Sequence, residues 1–536
     1  MGSVWLIIFA VVAFAIGYIV YGRFVAGRLG IDPERKTPAH TMYDGVDYVP
    51  AKAPVLLGHH FASIAGAAPI IGPIVAAVFG WLPVALWIFV GGIFMGAVHD
   101  FSSLIASVRH QSRSIGEVIE EEIGSRGKFL FLIFSWSTLI LVVAVFIVVV
   151  ADTFEKVPAA ASASMFFIAV AVLFGILLYK LNLSLSLATI IGVVLLAFSL
   201  YLGWIYPLQL SAITWSYILM GYIFIASVAP VWILLQPRDY LNSFILYALM
   251  ILGLAGIIYV NPEIRIPAFT SFHVEKIGYL FPILFVTVAC GAISGFHSLV
   301  ASGTTAKQLN NEKDAKLVGY GGMLIESLLA IVALITAAML LKEDYVKLKG
   351  NPVDIFATGL GQVMSRFGID FNAGKTFASL AVSAFALTSL DTATRLSRFA
   401  FQEFFQKNSL KAEEQPLLAR NRYIATFIGV AAAGSLVLSG QGLKIWPIFG
   451  SANQLLAALA LLAVTIWLGR HKKGTLFVRI PMMIMFLITL AALALMVYHN
   501  GVSGNYLIAG IAAVLFVLAV TLAVEAFQGI KRPTVQ

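Results

Sequence analysis

An all-α polytopic membrane protein with about fifteen transmembrane helices is the fold this sequence predicts. Three observations carry that reading. Of 536 residues, 60% are hydrophobic and only 11% are charged, against about 25% charged in ordinary soluble domains. Apolar runs of roughly 18 or more residues recur along the whole length, as spanning helices require. Two of those runs carry glycine, proline and serine near mid-depth, where an uninterrupted helix would not.

Taken in order, the candidate spans are 3–22, 54–80, 83–108, 128–150, 160–178, 185–203, 211–235, 242–260, 278–305, 317–341, 375–400, 421–438, 446–468, 476–497 and 504–527. The first is read as a retained helix, because "MGSVWLIIFAVVAF" has no basic leader and no small-residue cleavage site. An odd number of crossings puts the termini on opposite sides. With the N-terminus outside and the C-terminus cytoplasmic, 26 of the 35 Lys and Arg residues fall inside, as the positive-inside rule requires of a cytoplasmic membrane protein. The formal charge of +9 is thereby read as membrane orientation, and no nucleic-acid partner is expected. Cys290, the single cysteine, excludes an intramolecular disulfide.

Two segments between spans stand apart. Residues 109–127, "RHQSRSIGEVIEEEIGSRG", read as a charged cytoplasmic connector with a solvated helix. Residues 342–374 form the longest outside loop. Within it Ile355, Phe356, Leu360, Val363, Met364 and Phe367 recur at helical spacing, which predicts an interfacial helix or an outer lid. "GIDFNAGKT" resembles a phosphate loop but has five residues between Gly368 and Gly374, where that motif has four. No catalytic signature appears, so no enzyme is expected.

The interrupted runs are "GHHFASIAGAAPIIGP" (58–73) and "ACGAISGFHSLVASGTTAKQ" (289–308). Inside hydrocarbon, backbone without helical partners is tolerated only where protein or a wet cavity covers it. The first run is expected to unwind over Gly66–Gly72, with an outer half-helix starting near Pro69 or Pro73. The second is expected to unwind over Gly291–Gly295. The two lie in the second and ninth spans, so they run in opposite directions. Such a pair is the sequence pointer to an inverted-repeat transport architecture, in which half-helix N-termini favour an anionic group such as a carboxylate. The alternative is glycine serving only close helix packing. The candidate substrate residues are therefore Gly58, His59, His60, Ser63, Gly66, Ser294, Gly295, His297 and Ser298.

Other polar residues fall within spans, where an acid costs about 2.5–3.5 kcal/mol. His99 and Asp100 form either a structural pair, with a histidine or a basic loop residue, or part of an ion-coupling site. Asp391 sits among Thr388, Ser389 and Thr392. It can carry a proton, help the hydroxyls hold Na⁺, or pair with Arg395 four residues on. The histidines and Asp100 have no spacing that specifies zinc geometry, and neither a metal nor a cofactor is expected. Asn453 and Gln454 are read as helix–helix hydrogen-bonding residues.

At these stretches the sequence resembles the carbon starvation protein A family. The matching runs are "GHHFASIAGAAPIIGP", "MGAVHDFSSLIASVRH", "SIGEVIEEEIG", "QPRDYLNS", "CGAISGFHSLVASGTTAKQL", "LTSLDTATRLSRF" and "FGSANQLLAALALL", spanning about 58–463. The resemblance implies a place in the amino acid–polyamine–organocation superfamily and a leucine-transporter-type core of five plus five inverted helices. It implies uptake of pyruvate or short peptides, with proton coupling for pyruvate. It also implies that Asp391 faces the inner half of the first broken helix. Seven crossings between the broken helices, where the repeat has five, imply two extra helices between the halves. The expected organisation is an N-terminal helix and loop over 1–53, a transporter core over 54–468 and accessory helices over 469–536. The expected function is secondary active import of a small carboxylate-bearing nutrient, with H⁺ or else Na⁺ as the coupling ion. A nutrient sensor acting through a partner is the competing class, and the absence of a soluble signalling stretch counts against it.

Overall fold

The computed structural model describes residues 2–531 apart from 46, 231–232, 276, 341–350 and 408–413. It is mostly helical, at 81%. Among the described residues its one sheet is the short antiparallel pair His273–Val274 and Gly278–Tyr279.

Helix α1 (Val4–Leu29) leads to a broken element, in which α2 (Ala53–Ile64) and α3 (Ala68–Phe79) meet at a bend of 48°. Helix α4 (Trp81–Arg109) returns across the bundle, and the short α5 (Ile115–Ile123) precedes the 32-residue α6 (Ser125–Lys156). A hairpin of α7 (Pro158–Tyr179) and α8 (Leu185–Ile205) follows, then α9 (Ala212–Val228) and α10 (Leu235–Val260). The second broken element is α11 (Leu280–Val288), a tight turn over Ala289–Gly291, non-helical backbone over 292–295, and α12 (296–308). Then come α13 (Glu312–Ala338), α14 (Pro352–Ser365), the 35-residue α15 (Phe371–Phe405), α16 (Arg422–Leu438), α17 (Gly442–Arg470), α18 (Leu476–Val502) and α19 (Tyr506–Lys531).

Twelve helices among the described residues are long and apolar enough to cross a membrane, counting α11–α12 as one, and the α2–α3 pair is a thirteenth candidate. The apolar α9 and α16 are 17 residues each. Burial separates centre from rim. In their most apolar stretch α13, α15 and α17 are each 89% buried, whereas α1 is 28% and α8 is 22% buried.

Two expectations need correction. The 109–127 connector is not merely solvated. Ser114 caps α5 by accepting the Glu117 amide, and Ile115, Val118 and Ile119 are buried against α6 and α17. Likewise the apolar face of α14 is covered by protein. Ile355, Phe356, Leu360, Val363 and Met364 are buried against α3, α10, α13 and α15. A periodic apolar face needs cover, and protein supplies it here. The first part of the 342–374 loop lies outside the described residues.

The connecting segments gather at two ends. At one, Ser3 donates to Pro262, Thr270 to Phe79, Arg265 to Ala338, and Asn505 to Gln441. At the other, Glu312 accepts from Arg109, Lys473 reaches Leu29, and Arg470 meets Glu122. A third carboxylate at this end, Glu403, lies 3.5 Å from Lys128.

Two helix breaks and a buried polar core

The first break occupies Ala65–Ala67. Pro69 falls in the first turn of α3, where the missing N–H costs nothing. The unwound stretch is shorter than expected, since Gly72 and Pro73 are helical. Gly72 serves a different purpose. A Cβ there would lie 2.6 Å from the carbonyl oxygens of Thr287 and Val288. Its absence lets α3 lie against the end of α11, so the two broken elements touch just beside their breaks.

The second break is held by groups of α17 that replace lost helical partners. The Gly295 amide donates to the Asn453 carbonyl at 3.0 Å, and the Phe296 amide to Asn453 Oδ1 at 2.9 Å. Gln454 Nε2 donates to Phe285 O at 2.9 Å, and Trp446 Nε1 to Thr287 O at 3.2 Å. Asn453 and Gln454 thus bond between helices, as their setting in an apolar run suggested, and their partner is the broken element itself.

Next to this break lies a chain of buried ionisable groups. His99 Nδ1 bonds Asp100 Oδ1 at 2.7 Å, and His297 Nδ1 donates to Asp100 Oδ2 at 2.8 Å. On its far side, His297 Nε2 lies 3.3 Å from Glu326 Oε2. Asp100 therefore pairs with histidines and not with a loop cation. Among the described residues, Cys290, His297 and Glu326 offer ligand atoms that all lie within 4.8 Å of one another, a spacing that could hold a metal ion. Glu326 escaped sequence reasoning. The signal was present, since it is an acid inside an apolar run.

A second buried cluster surrounds Asp391. Its partner is Arg238, from "QPRDYLNS" in α10, and not Arg395. Arg395 instead donates to the carbonyls of Ala226 and Ala229. Tyr222 donates to Asp391 at 2.8 Å, and Arg238 also reaches the Leu387 carbonyl at 3.2 Å. Asp239 lies 3.7 Å from Arg238, and both of its buried carboxylate oxygens lack a hydrogen bond. Asn242 Nδ2 donates to Thr388 Oγ1 at 3.0 Å. The Asp391 carboxylate is thus held by α9 and α10. It is Ser389 that meets the first break, where its hydroxyl abuts Gly66. Thr392 Oγ1 is buried without a partner.

The remaining candidates divide as follows. His60 Nδ1 bonds Thr305 Oγ1 at 2.8 Å, linking the inner half-helices α2 and α12. Ser63 donates to the His59 carbonyl, Ser298 to that of Gly295, and Ser294 to Asn453. Gly58 and His59 line a cavity of 420 Å³ between α2 and α10. His59 also lines one of 590 Å³ that reaches Lys307 on α12.

Paired broken helices packed on long central helices, with ionisable groups sealed among them, define a multi-pass membrane protein of the transporter class. The chain belongs to the carbon starvation protein CstA family, whose model matches residues 2–353 and 346–492. It is 35% identical to the peptide transporter CstA of Campylobacter jejuni, over 88% of this chain and 77% of that one. It is 34% identical to the Bacillus subtilis peptide transporter CstA, over 86% and 84% of the two chains. It is 32% identical to the pyruvate/proton symporter BtsT of Escherichia coli, over 88% and 78%. A manganese transporter of Eremococcus coleocola aligns over 89% of this chain and 95% of its own, with TM-score 0.46 and 13% identity.

Proposed function

We propose that this protein is a secondary active transporter that imports a small carboxylate-bearing nutrient, pyruvate or a short peptide, with protons by alternating access. The observation that carries the proposal is the pair of oppositely directed broken helices in contact at their breaks. Each begins a new half-helix inside the bundle, where the helix dipole favours a carboxylate. The relatives' names support the substrate class and the proton.

A five-plus-five inverted repeat of the leucine-transporter type, and with it the amino acid–polyamine–organocation superfamily, is supported by the order of elements. Setting aside the α7–α8 hairpin, each half reads as a broken helix, a return helix, a short packed helix, the longest helix, a 17-residue helix and a closing helix. Thus α6 and α15 have 32 and 35 residues, and α9 and α16 have 17 each. The hairpin is then the two-helix excess between the broken helices, inserted within the first half between α6 and α9, which fits its place at the rim. Counting α9, α16 and the broken pairs as single spans gives fifteen crossings. In this reading residues 54–468 form the core, with 1–53 and 469–536 as accessories.

For the coupling site the buried trio of Asp391, Arg238 and Asp239 is the stronger candidate. Two carboxylates share one guanidinium away from water. A proton on one of them removes the surplus negative charge. Purified protein in liposomes tests the whole reading. Pyruvate or a dipeptide should accumulate under an inward proton gradient and not under a sodium gradient alone. Binding with no accumulation under any gradient would favour a sensor.

A further inference from the structure

We propose that Cys290, His297 and Glu326 form a three-ligand site for a divalent metal of the zinc class, bridging the second helix break to α13. Cys290 sits in the tight turn that ends α11, His297 in the first turn of α12, and Glu326 on the regular α-helical part of α13, Gly322–Ala338. Their donor atoms lie within 4.8 Å of one another. A tetrahedral ion with bonds of about 2.0–2.3 Å needs ligand atoms about 3.3–3.8 Å apart. His297 Nε2 and Glu326 Oε2 already stand at 3.3 Å, and a small side-chain adjustment brings the rest in.

The groups around the cluster are arranged as a metal site requires. Asp100 takes the Nδ1 proton of His297, which leaves the Nε2 lone pair turned toward Glu326. His99 in turn holds Asp100. A carboxylate that fixes the tautomer of a ligating histidine is the usual outer support of a metal centre. His297 Nε2 and Glu326 Oε2 meet each other at 3.3 Å, and Glu326 Oε1 is buried with no hydrogen-bond partner, a costly state that an ion relieves. Cys290 Sγ accepts from Asn453 Nδ2 at 3.3 Å and donates to Ser294 Oγ at 3.4 Å. Binding displaces the thiol proton. The thiolate and the carboxylate then balance the two charges of the ion, so the occupied centre is neutral. One sulfur, one nitrogen and one oxygen donor select a borderline ion such as Zn²⁺ over Mg²⁺ or Ca²⁺, which want oxygen alone.

An ion here ties both sides of the break to a rigid helix. If the break moves during transport, which rests on the function proposed above, the occupied site slows turnover. Binding itself does not depend on that reading.

The test uses the full-length protein, purified and stripped of metal by a chelator. Cobalt titration should saturate at one ion per chain with a near-ultraviolet thiolate-to-cobalt charge-transfer band, and Zn²⁺ should displace it. Cys290→Ser should abolish the band, and Glu326→Gln should weaken binding. Asp100→Asn should keep the band while lowering affinity about 10–100-fold. Zn²⁺ should raise the thermal midpoint of the parent protein and not that of Cys290→Ser, which separates lost binding from lost folding. His499→Gln, distant in the chain and in a loop-end position, should bind like the parent. Cobalt binding with no charge-transfer band, or unchanged in Cys290→Ser and Glu326→Gln, overturns the site. Metal binding without any effect on uptake would leave the site standing and count only against the moving break.

Discussion

Arg238 carries a full charge into the bundle, only 1% exposed, and answers it with Asp391, Tyr222 and the Leu387 carbonyl. Removing one partner of a buried ion pair costs about 3–5 kcal/mol, because the other charge is stranded, whereas replacing both by apolar groups costs far less. Arg238→Met alone should therefore lower the thermal midpoint and membrane yield sharply, and Arg238→Met with Asp391→Leu should recover part of the yield, with Asp239 kept neutral by a proton. A double variant as unstable as the single one would contradict this account. Asp239 allows a cleaner test of coupling, since no hydrogen bond holds its carboxylate. Asp239→Asn should keep the fold and substrate exchange yet lose proton-driven accumulation. A variant that still concentrates substrate under a proton gradient removes Asp239 from the coupling mechanism. At this scale the sequence was half legible. An acid in an apolar run marks itself, so Asp391 and Asp100 could be picked out. A histidine partner for Asp100 was one of the expected alternatives, whereas Arg238 was not foreseen, because the helical i, i+4 rule offers Asp391 only Arg395. The true partner of Asp391 lies 153 residues away in the chain.

The breaks depend on backbones that approach more closely than side chains permit. A Cβ at Gly295 would press on the Asn453 carbonyl and the Ala457 amide of α17, with the Leu456 side chain 2.5 Å away. Those atoms are mostly rigid backbone and cannot turn aside. Gly295→Ala should cost about 1–3 kcal/mol by overpacking, and should cut uptake more than it cuts membrane yield. Gly501→Ala, with open space around it, should do neither. Equal uptake by both variants at equal expression would show that the α12–α17 contact is not critical. Glycine and proline at mid-span announced that these elements break. They did not say where the break stops, because Gly72 looks the same in sequence whether it unwinds a helix or admits a neighbour. In α3 it admits the carbonyls of α11. The apolar faces of α5 and α14 were likewise visible as helical periodicity, but periodicity cannot tell protein cover from lipid.

Across the whole molecule, the connecting segments sort into two sets that meet at opposite ends. One set holds residues 2–3, 261–280 and 501–505. The other holds 29–38, 109–124, 309–316 and 470–473. Alternating crossings require this division, and charge then orients it. Arg28, Arg35, Arg109, Arg113, Lys313, Arg470, Lys472 and Lys473 all lie in or beside the second set, which the positive-inside rule assigns to the cytoplasm. Composition predicts the side, whereas the pairing of distant loops needed the fold. Labelling can test the orientation directly, because the chain's one cysteine is buried and should contribute little background. Ser503 and Lys472 are both exposed, at opposite ends. In whole cells, Ser503→Cys should react with a membrane-impermeant maleimide and Lys472→Cys should not. In inside-out vesicles the pattern should reverse. Labelling of Lys472→Cys from outside would invert the whole assignment. Labelling of both from one side would show that an odd number of crossings between residues 473 and 503 is wrong, and with it the span assigned to α18.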